Sequence, residues 1–137
     1  MGLSTIKKII LDQLHDQKGL IAVLVYGSYA KGTARDDSDV DIALLYKPEQ
    51  APDSLELWDL HTRLMSALPT EVDLICLNQA DPIIGNQVYQ NYQEVLVKDS
   101  EKLWEYFSRL AWEYAELKEY IKPLEDQILQ RRYYVKP

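Results

Sequence analysis

Two aspartates at alternate positions of an apolar, strand-like segment place the strongest constraint on this fold. Asp39 and Asp41 open the run "DVDIALLY" at 39–46. Aspartate is depleted in strands, and a charge on a buried face is costly unless it is paired. Alternate residues of a strand share a face and lie roughly 7 Å apart. The pattern therefore predicts both carboxylates on one face of a sheet, with Val40 and Ile42 directed into the core.

A third carboxylate lies in the middle of another predicted strand. Asp73 occurs in "TEVDLICL" at 70–77. If this strand neighbours 39–46, three carboxylates converge, and like charges raise one another's pKa unless a cation lies between them. Mg²⁺, a hard ion that prefers oxygen ligands, fits that demand, and two ions about 3.5–4 Å apart suit phosphoryl or nucleotidyl transfer. Glu71 shares the predicted face and is a rival third ligand. The alternative is a solvated sheet face with no ion.

A Gly-Ser turn precedes the first pair of aspartates. Gly27 and Ser28 directly follow the β-branched run "LIAVLVY" at 20–26. Glycine in that position permits a positive φ and a close backbone approach, and exposed amides in such a turn can hold phosphate oxygens. An ordinary turn is the alternative interpretation. Lys31 and Arg35 in the following loop could balance a triphosphate, or only keep the loop soluble.

The remaining segments predict one compact α/β (α+β) domain, a small mixed sheet flanked by helices. A chain of 137 residues is expected to form one domain. We assign residues 1–122 to it, and residues 123–137 to a tail that docks on a partner or is disordered. The predicted elements are a helix at 4–18, a strand at 20–26, a loop at 27–38, a strand at 39–46, a helix at 54–67, a strand at 70–77, a helix at 82–92, a short strand at 94–98 and a helix at 100–121 ended by Pro123.

Composition narrows the class of partner. The net charge is −7, from 15 Lys plus Arg against 22 Asp plus Glu. Because backbone binding to nucleic acid relies on basic side chains, we expect no direct nucleic-acid binding, although a mononucleotide is compatible. The single cysteine, Cys76, reads as a packed thiol on a strand. No apolar segment approaches the ~20 residues of a membrane span, and the N-terminal sequence lacks a signal-peptide pattern, so a cytoplasmic location is expected.

The combined motif resembles a known superfamily. Gly27-Ser28, ten intervening residues and then Asp39-Val40-Asp41 are similar to the GS-x10-DxD motif of polymerase-beta-type nucleotidyltransferases. Asp73 matches the family's third acidic strand residue. The resemblance covers roughly 20–98 and implies the polymerase-beta-like fold and use of MgATP. It also implies that Asp39 and Asp41 bind the metal.

The same resemblance implies further roles for the site residues. Asp73 would help to activate an acceptor hydroxyl and complete the ligand set for Mg²⁺, with two ions expected. Gly27 and Ser28 would hold the triphosphate. No departure in this motif argues for an inactive enzyme.

Among short members of the superfamily, the chain resembles antitoxins of the MntA type. These accompany a HEPN-domain ribonuclease toxin and silence it by transferring AMP to a toxin tyrosine. The HEPN motif Arg-x4–6-His-x-Tyr is absent from this sequence, whose two histidines, His15 and His61, read as helix-surface residues. The chain would thus be the antitoxin. Alternatives are a small-molecule nucleotidyltransferase of the aminoglycoside-modifying kind and a non-catalytic antitoxin that acts by binding alone.

Overall fold

The computed structural model describes the backbone of residues 1–135 and the side chains of residues 1–124, 126 and 127. The described helices and strands follow one another in the order α1 (Leu3–Leu14), β1 (Leu20–Tyr26), α2 (Gly27–Lys31), β2 (Val40–Tyr46), α3 (Ser54–Ala67), β3 (Val72–Cys76), α4 (Pro82–Gln90), β4 (Tyr92–Val97) and α5 (Ser100–Val135), with a 3-10 turn at Pro48–Gln50.

The four strands form one mixed sheet in the order β3-β2-β1-β4. β1 pairs antiparallel with both β2 and β4, whereas β2 and β3 are parallel. Parallel neighbours need a crossover connection, which the segment containing α3 provides between β2 and β3. The mixed sheet with flanking helices agrees with the predicted fold class.

Each face of the sheet is covered by two helices. α1 and α3 pack on one face, where Ile10 and Leu64 meet Ile42 and Leu44. α4 and α5 pack on the other face, where Val88 and Phe107 belong to the same cluster as Ala43 and Leu45. Because β1 and β2 are buried on both sides, their sequences read as continuous apolar runs rather than alternating ones. On the sheet face that α4 and α5 cover, Asp41 is therefore the charged residue among the apolar side chains of β2.

Local capping signals were reliable. α3 begins after Asp53, whose side chain accepts a hydrogen bond from the Glu56 N–H at 2.8 Å, while Asp53 N–H donates to the Glu56 carboxylate at 3.2 Å. This capping box and the bounds of α3 are as predicted. Cys76 is buried and free on β3, also as predicted.

Several element boundaries were predicted wrongly. α1 ends at Leu14 rather than at 18, β3 spans Val72–Cys76 rather than 70–77, and β4 begins at Tyr92 rather than at 94. The expected loop at 27–38 starts with the five-residue helix α2, and β2 begins at Val40, so Asp39 precedes it. α5 does not end at Pro123 but contains it. An interior proline removes one hydrogen bond at a cost of about 3 kcal/mol, and helix-favouring residues such as Leu124 follow it.

The first turns of α5 carry its contacts with the sheet. Leu103, Phe107 and Leu110 are buried, whereas Trp104 and Trp112 are exposed. Among the described residues of α5, the buried ones thus lie in its first three turns. The docking role of 123–137 stays a prediction, and residues 136 and 137 lie outside the described part. Within that part, no helix has the length and hydropathy to cross a bilayer.

Candidate active site

The sheet register brings two of the predicted carboxylates side by side. Asp41 on β2 pairs with Asp73 on β3 and, on its other side, with Tyr26 on β1. Adjacent strands lie about 4.8 Å apart, so these three side chains form one row across the end of the sheet. Asp39 lies just before β2, two residues from Asp41, and is exposed. The predicted neighbourhood of the two strands is confirmed.

The row concentrates negative charge at a half-buried position. Burial, followed by the charges of Asp73 and Asp39, raises the pKa of Asp41 to about 6. A carboxylate that is crowded by like charges favours either a proton or a cation. At neutral pH, the arrangement is therefore electrostatically suited to a positively charged ligand.

Tyr26 is a site residue that the sequence analysis missed. Burial raises the pKa of its phenol, and the charges of Asp73 and Asp41 add to that effect, so the hydroxyl stays protonated at neutral pH. In the sequence, the indication of such a role was its place as the last residue of β1, directly before Gly27. Only the strand pairing shows that it lies beside Asp41.

Position 27 requires a glycine because the Asp41 carboxylate lies directly against it. The φ of Gly27 is +71°, and a Cβ built on it would overlap the Asp41 Oδ2 atom. A side chain at this position would therefore strain the backbone and displace the central carboxylate. The predicted positive φ and close approach are confirmed.

Gly27 also begins α2, with Ser28 as the next residue. The first N–H groups of a helix have no acceptor within the helix, so they are available to an anion next to the carboxylate row. Buried Tyr29 holds α2 against the core, and Gly32 ends it in the left-handed conformation, with φ +77°. The helix thus places the Gly-Ser amides at the end of the sheet.

The two basic residues of the loop have a less defined position. Lys31 is the last residue of α2, and Arg35 starts a turn in which its N–H donates to Ser38 Oγ at 2.8 Å. Both side chains are exposed. No ion pair within the described part of the chain joins either of them to Asp39, Asp41 or Asp73. Their role in binding phosphates stays a prediction.

The donor set fits a hard cation in chemistry but does not enclose one. Asp39, Asp41 and Asp73 offer carboxylate oxygens, the ligands that Mg²⁺ prefers. Among the described residues, no group of three His, Cys, Asp or Glu side chains is gathered closely enough to hold a metal ion by itself. An ion here would take further ligands from phosphate oxygens and water, as Mg²⁺ commonly does with nucleotides.

The two histidines lie outside the carboxylate row. His15 is exposed at the end of α1, as predicted. His61 is half-buried rather than a free surface residue, and its Nε2 donates to the Val72 carbonyl at 2.7 Å. This bond ties α3 to the strand that carries Asp73.

Comparison with known proteins agrees with this geometry. The sequence model of the family described as "Polymerase beta, Nucleotidyltransferase" matches residues 7–101. The protein adenylyltransferase MntA of Shewanella oneidensis is 38% identical over 66 residues, which are 48% of this chain and 46% of that protein. The protein adenylyltransferase MntA of Thermococcus cleftensis is 36% identical over 63 residues, or 46% of this chain and 62% of that protein. The chain thus spans about half the length of the first relative.

Solved structures extend the likeness over most of the chain. A chain in a crystal structure of a toxin–antitoxin with AMP-PNP has a TM-score of 0.79 and 26% identity, covering 90% of this chain and 98% of that one. A chain in the complex of a tri-AMPylated Shewanella oneidensis HEPN toxin with an MNT antitoxin has a TM-score of 0.76 at 23% identity, covering 92% and 98%. The second likeness shows the fold alone.

Proposed function

This chain belongs to the polymerase beta nucleotidyltransferase family, and from that premise we propose that it is an antitoxin that transfers AMP from MgATP to a tyrosine of a HEPN ribonuclease toxin. The proposed reaction takes place in the cytoplasm. Two relatives named protein adenylyltransferase support the reaction. The toxin–antitoxin with AMP-PNP supports both the nucleotide and the kind of partner.

One observation carries the proposal: Asp41 is held between Gly27 and Asp73. Gly27 leaves just enough room for the Asp41 carboxylate, and the parallel register puts Asp73 beside it. The Gly-Ser turn, the central Asp41 carboxylate and a further carboxylate thereby follow one another along the end of the sheet. This order matches the order of nucleotide, reaction centre and acceptor in a nucleotidyl transfer.

We assign the nucleotide to the α2 side of this row. The amides of Gly27 and Ser28 would bind phosphate oxygens, with Lys31 and Arg35 adding positive charge from the loop. Asp39 and Asp41, with Asp73, would hold Mg²⁺, which when bound neutralises charge on the phosphates and favours attack at phosphorus. The raised pKa of Asp41 is consistent with a centre that is incomplete without a cation.

We assign the acceptor to the Asp73 side. The tyrosine hydroxyl oxygen attacks the α-phosphorus, the bond from that phosphorus to the bridging oxygen breaks, and diphosphate leaves with its electron pair. The phenol proton passes to Asp73, which is exposed and can return it to water. Positioning and charge stabilisation supply most of the catalysis in such transfers.

The product is suited to silencing a nuclease. Each AMP adds a phosphodiester charge and the bulk of a nucleoside to the toxin tyrosine. Near an RNA-binding surface, this charge repels the RNA backbone and the nucleoside obstructs it. The net charge of −7 on this chain also favours encounter with a basic partner.

Intact-mass spectrometry of the toxin after incubation with this protein and MgATP tests the proposal. We expect one or more AMP increments on the toxin, abolished by Asp39→Asn/Asp41→Asn. Asp36→Asn/Asp37→Asn is the matched control, since it removes the same charge from the exposed loop before the site. If the toxin mass is unchanged while its RNase activity is still suppressed, this protein inhibits by binding and the transferase proposal is wrong.

A further inference from the structure

The free edge of the sheet runs directly beside Asp73. Among the described strands, β3 lies at the edge of the sheet and pairs with β2. The Val40 N–H donates to the Glu71 carbonyl at 2.9 Å, and the Leu77 N–H donates to the Leu44 carbonyl at 2.7 Å. In a parallel ladder, backbone groups of alternate residues point to opposite sides. Residues 71, 73, 75 and 77 therefore direct their backbone groups to β2, whereas those of 72, 74 and 76 point outward.

Other parts of the chain provide hydrogen-bond partners for half of these outward backbone groups, toward the two ends of β3. The Val72 carbonyl accepts from His61 Nε2 at 2.7 Å, and the Val72 N–H donates to Met65 Sδ at 3.1 Å. The Cys76 carbonyl accepts from the Gln79 N–H at 3.1 Å. Between these two closures, neither the outward N–H nor the outward C=O of Leu74 has a hydrogen-bond partner among the described residues. Among the described residues, the edge is thus open at both backbone groups of Leu74, next to Asp73, and at the Cys76 N–H.

A small apolar cavity lies against the same residue. Its volume is about 280 Å³, and it is lined by Ser54, Leu57, Trp58, His61, Asp73 and Leu74. Trp58 is 66% exposed and packs against the His61 ring at a tilt of 35°, with ring centroids 5.4 Å apart. Exposed tryptophan beside unpaired backbone groups is typical of a binding surface rather than of a solvent-facing helix.

We propose that an extended segment of the acceptor protein adds to β3 at Leu74 as a short fifth strand, and so presents its tyrosine to Asp73. Strand addition at an open edge is a general mode of peptide recognition, in which backbone bonds give affinity and side-chain pockets give specificity. This inference rests on the proposed function, whose acceptor site it locates.

Because alternate residues of a strand face opposite sides of the sheet, the position of each residue in the added segment determines which side its side chain faces. The residue opposite Asp73 lies on the same face as Asp73, about 4.8 Å away across the edge, and is the acceptor tyrosine. The next residue is opposite Leu74 and faces α3, where Leu57 and Trp58 line the cavity. An apolar side chain fits there. Exposed Glu71, directly before β3, favours a lysine or arginine in the same segment.

Two substitutions separate docking from chemistry. Leu74→Pro removes the outward N–H and leaves the β2 ladder intact, because proline is tolerated where the N–H of an edge strand faces away from the sheet. Leu74→Val keeps that N–H and is the matched control. Trp58→Ala removes the indole ring from the lining of the cavity. We expect Leu74→Pro and Trp58→Ala to raise the KM for the toxin at least tenfold, with the Kd for MgATP and the far-ultraviolet circular dichroism unchanged.

Hydrogen–deuterium exchange on the unmodified chain gives an independent measurement if a variant folds poorly. We expect the Leu74 amide to exchange more slowly with the toxin bound, and likewise with one of a set of synthetic peptides that cover each toxin tyrosine. Unchanged exchange, or an unchanged KM in both variants, would overturn the inference. Concentration-dependent protection of Leu74 without any partner would also overturn it, since a second copy would then occupy the edge.

The outcomes also distinguish this inference from the proposed function. If wild-type protein transfers AMP and the variants transfer it equally well, the edge is not the acceptor site although the transferase proposal stands. If a tyrosine peptide protects the Leu74 amide but receives no AMP, the edge binds the peptide and the transferase proposal is wrong.

Discussion

Replacing Asp41 by Asn should make the metal-free fold more stable while removing its function. The Asp41 carboxylate is half-buried and close to Asp73 and Asp39, and these factors raise its pKa from 3.8 to about 6. A difference of one pKa unit corresponds to about 1.4 kcal/mol, so the full shift is an upper limit of about 3 kcal/mol. Because the group is partly exposed and screened by solvent, we expect about 1 kcal/mol.

The pH dependence follows from the sign of the shift. The folded state holds the Asp41 proton more tightly than the unfolded state, so the wild-type free energy of unfolding receives its full contribution only below the ordinary carboxyl pKa. That contribution is lost as the pH rises through about 6. Asn carries no charge at any pH. The advantage of Asp41→Asn should therefore be complete at pH 7.5 and should shrink toward zero near pH 4.

Urea denaturation in EDTA, followed by tryptophan fluorescence at pH 7.5 and pH 4.5, measures this difference. Asp37→Asn is the control for net charge, because Asp37 is an exposed loop residue. In a second arm, MgATP at a hundred times its Kd should stabilise the wild type by about 2.7 kcal/mol and the Asp41→Asn variant far less. If Asp41→Asn is less stable than wild type at pH 7.5 without metal, the carboxylate makes a stabilising contact and the like-charge argument fails.

Further predictions concern the neighbours of this centre and the packing of α5. Gly27→Ala should cost about 1–2 kcal/mol of folding stability from the positive φ alone, and should abolish MgATP-dependent thermal stabilisation because the methyl group takes the place of the Asp41 carboxylate. Asp73→Asn should lower kcat for AMP transfer about a hundredfold or more and should weaken MgATP binding much less than that, whereas Glu71→Gln should be mild; the reverse result would exchange their roles. Gly85→Ala should lower the free energy of unfolding by about 1–3 kcal/mol in urea denaturation, because the added Cβ would lie 2.7 Å from a side-chain atom of α5. This loss is expected although alanine favours helices, and a gain in stability would show that the side chains of α5 rearrange to make room for the methyl group.

Features encoded within a few residues were predictable. The capping residues Asp53 and Glu56 set the start of α3, and the β-branched run at 20–26 set β1 to the residue. The period of two along a strand predicted Asp39 and Asp41 on one face, but only Asp41 lies in β2, and Asp39 precedes the strand. The position of Gly27 after a strand predicted its positive φ. Each of these signals depends on backbone sterics or on a hydrogen bond between near neighbours, so the local sequence contains it in full.

Features that depend on two distant segments were not predictable in the same way. The parallel register of β2 with β3 puts Asp73, rather than Glu71, opposite Asp41, and the antiparallel register of β1 adds Tyr26. The continuation of α5 through Pro123 was not predicted. Proline removes one hydrogen bond locally and so suggests a helix end, but the helix on both sides of it outweighs that loss.

By itself, the sequence determined which chemical groups this protein has available: carboxylates at strand spacing, a glycine for a close approach, and apolar runs for a sheet buried on both faces. Tertiary structure alone decided which of those groups meet. It joined Gly27, Asp41 and Asp73 into one row and left the edge of β3 open at Leu74. The physical reason is that strand order and register follow from the packing of the whole sheet between its helices, and a shift of one residue would send every side chain of a strand to the opposite face.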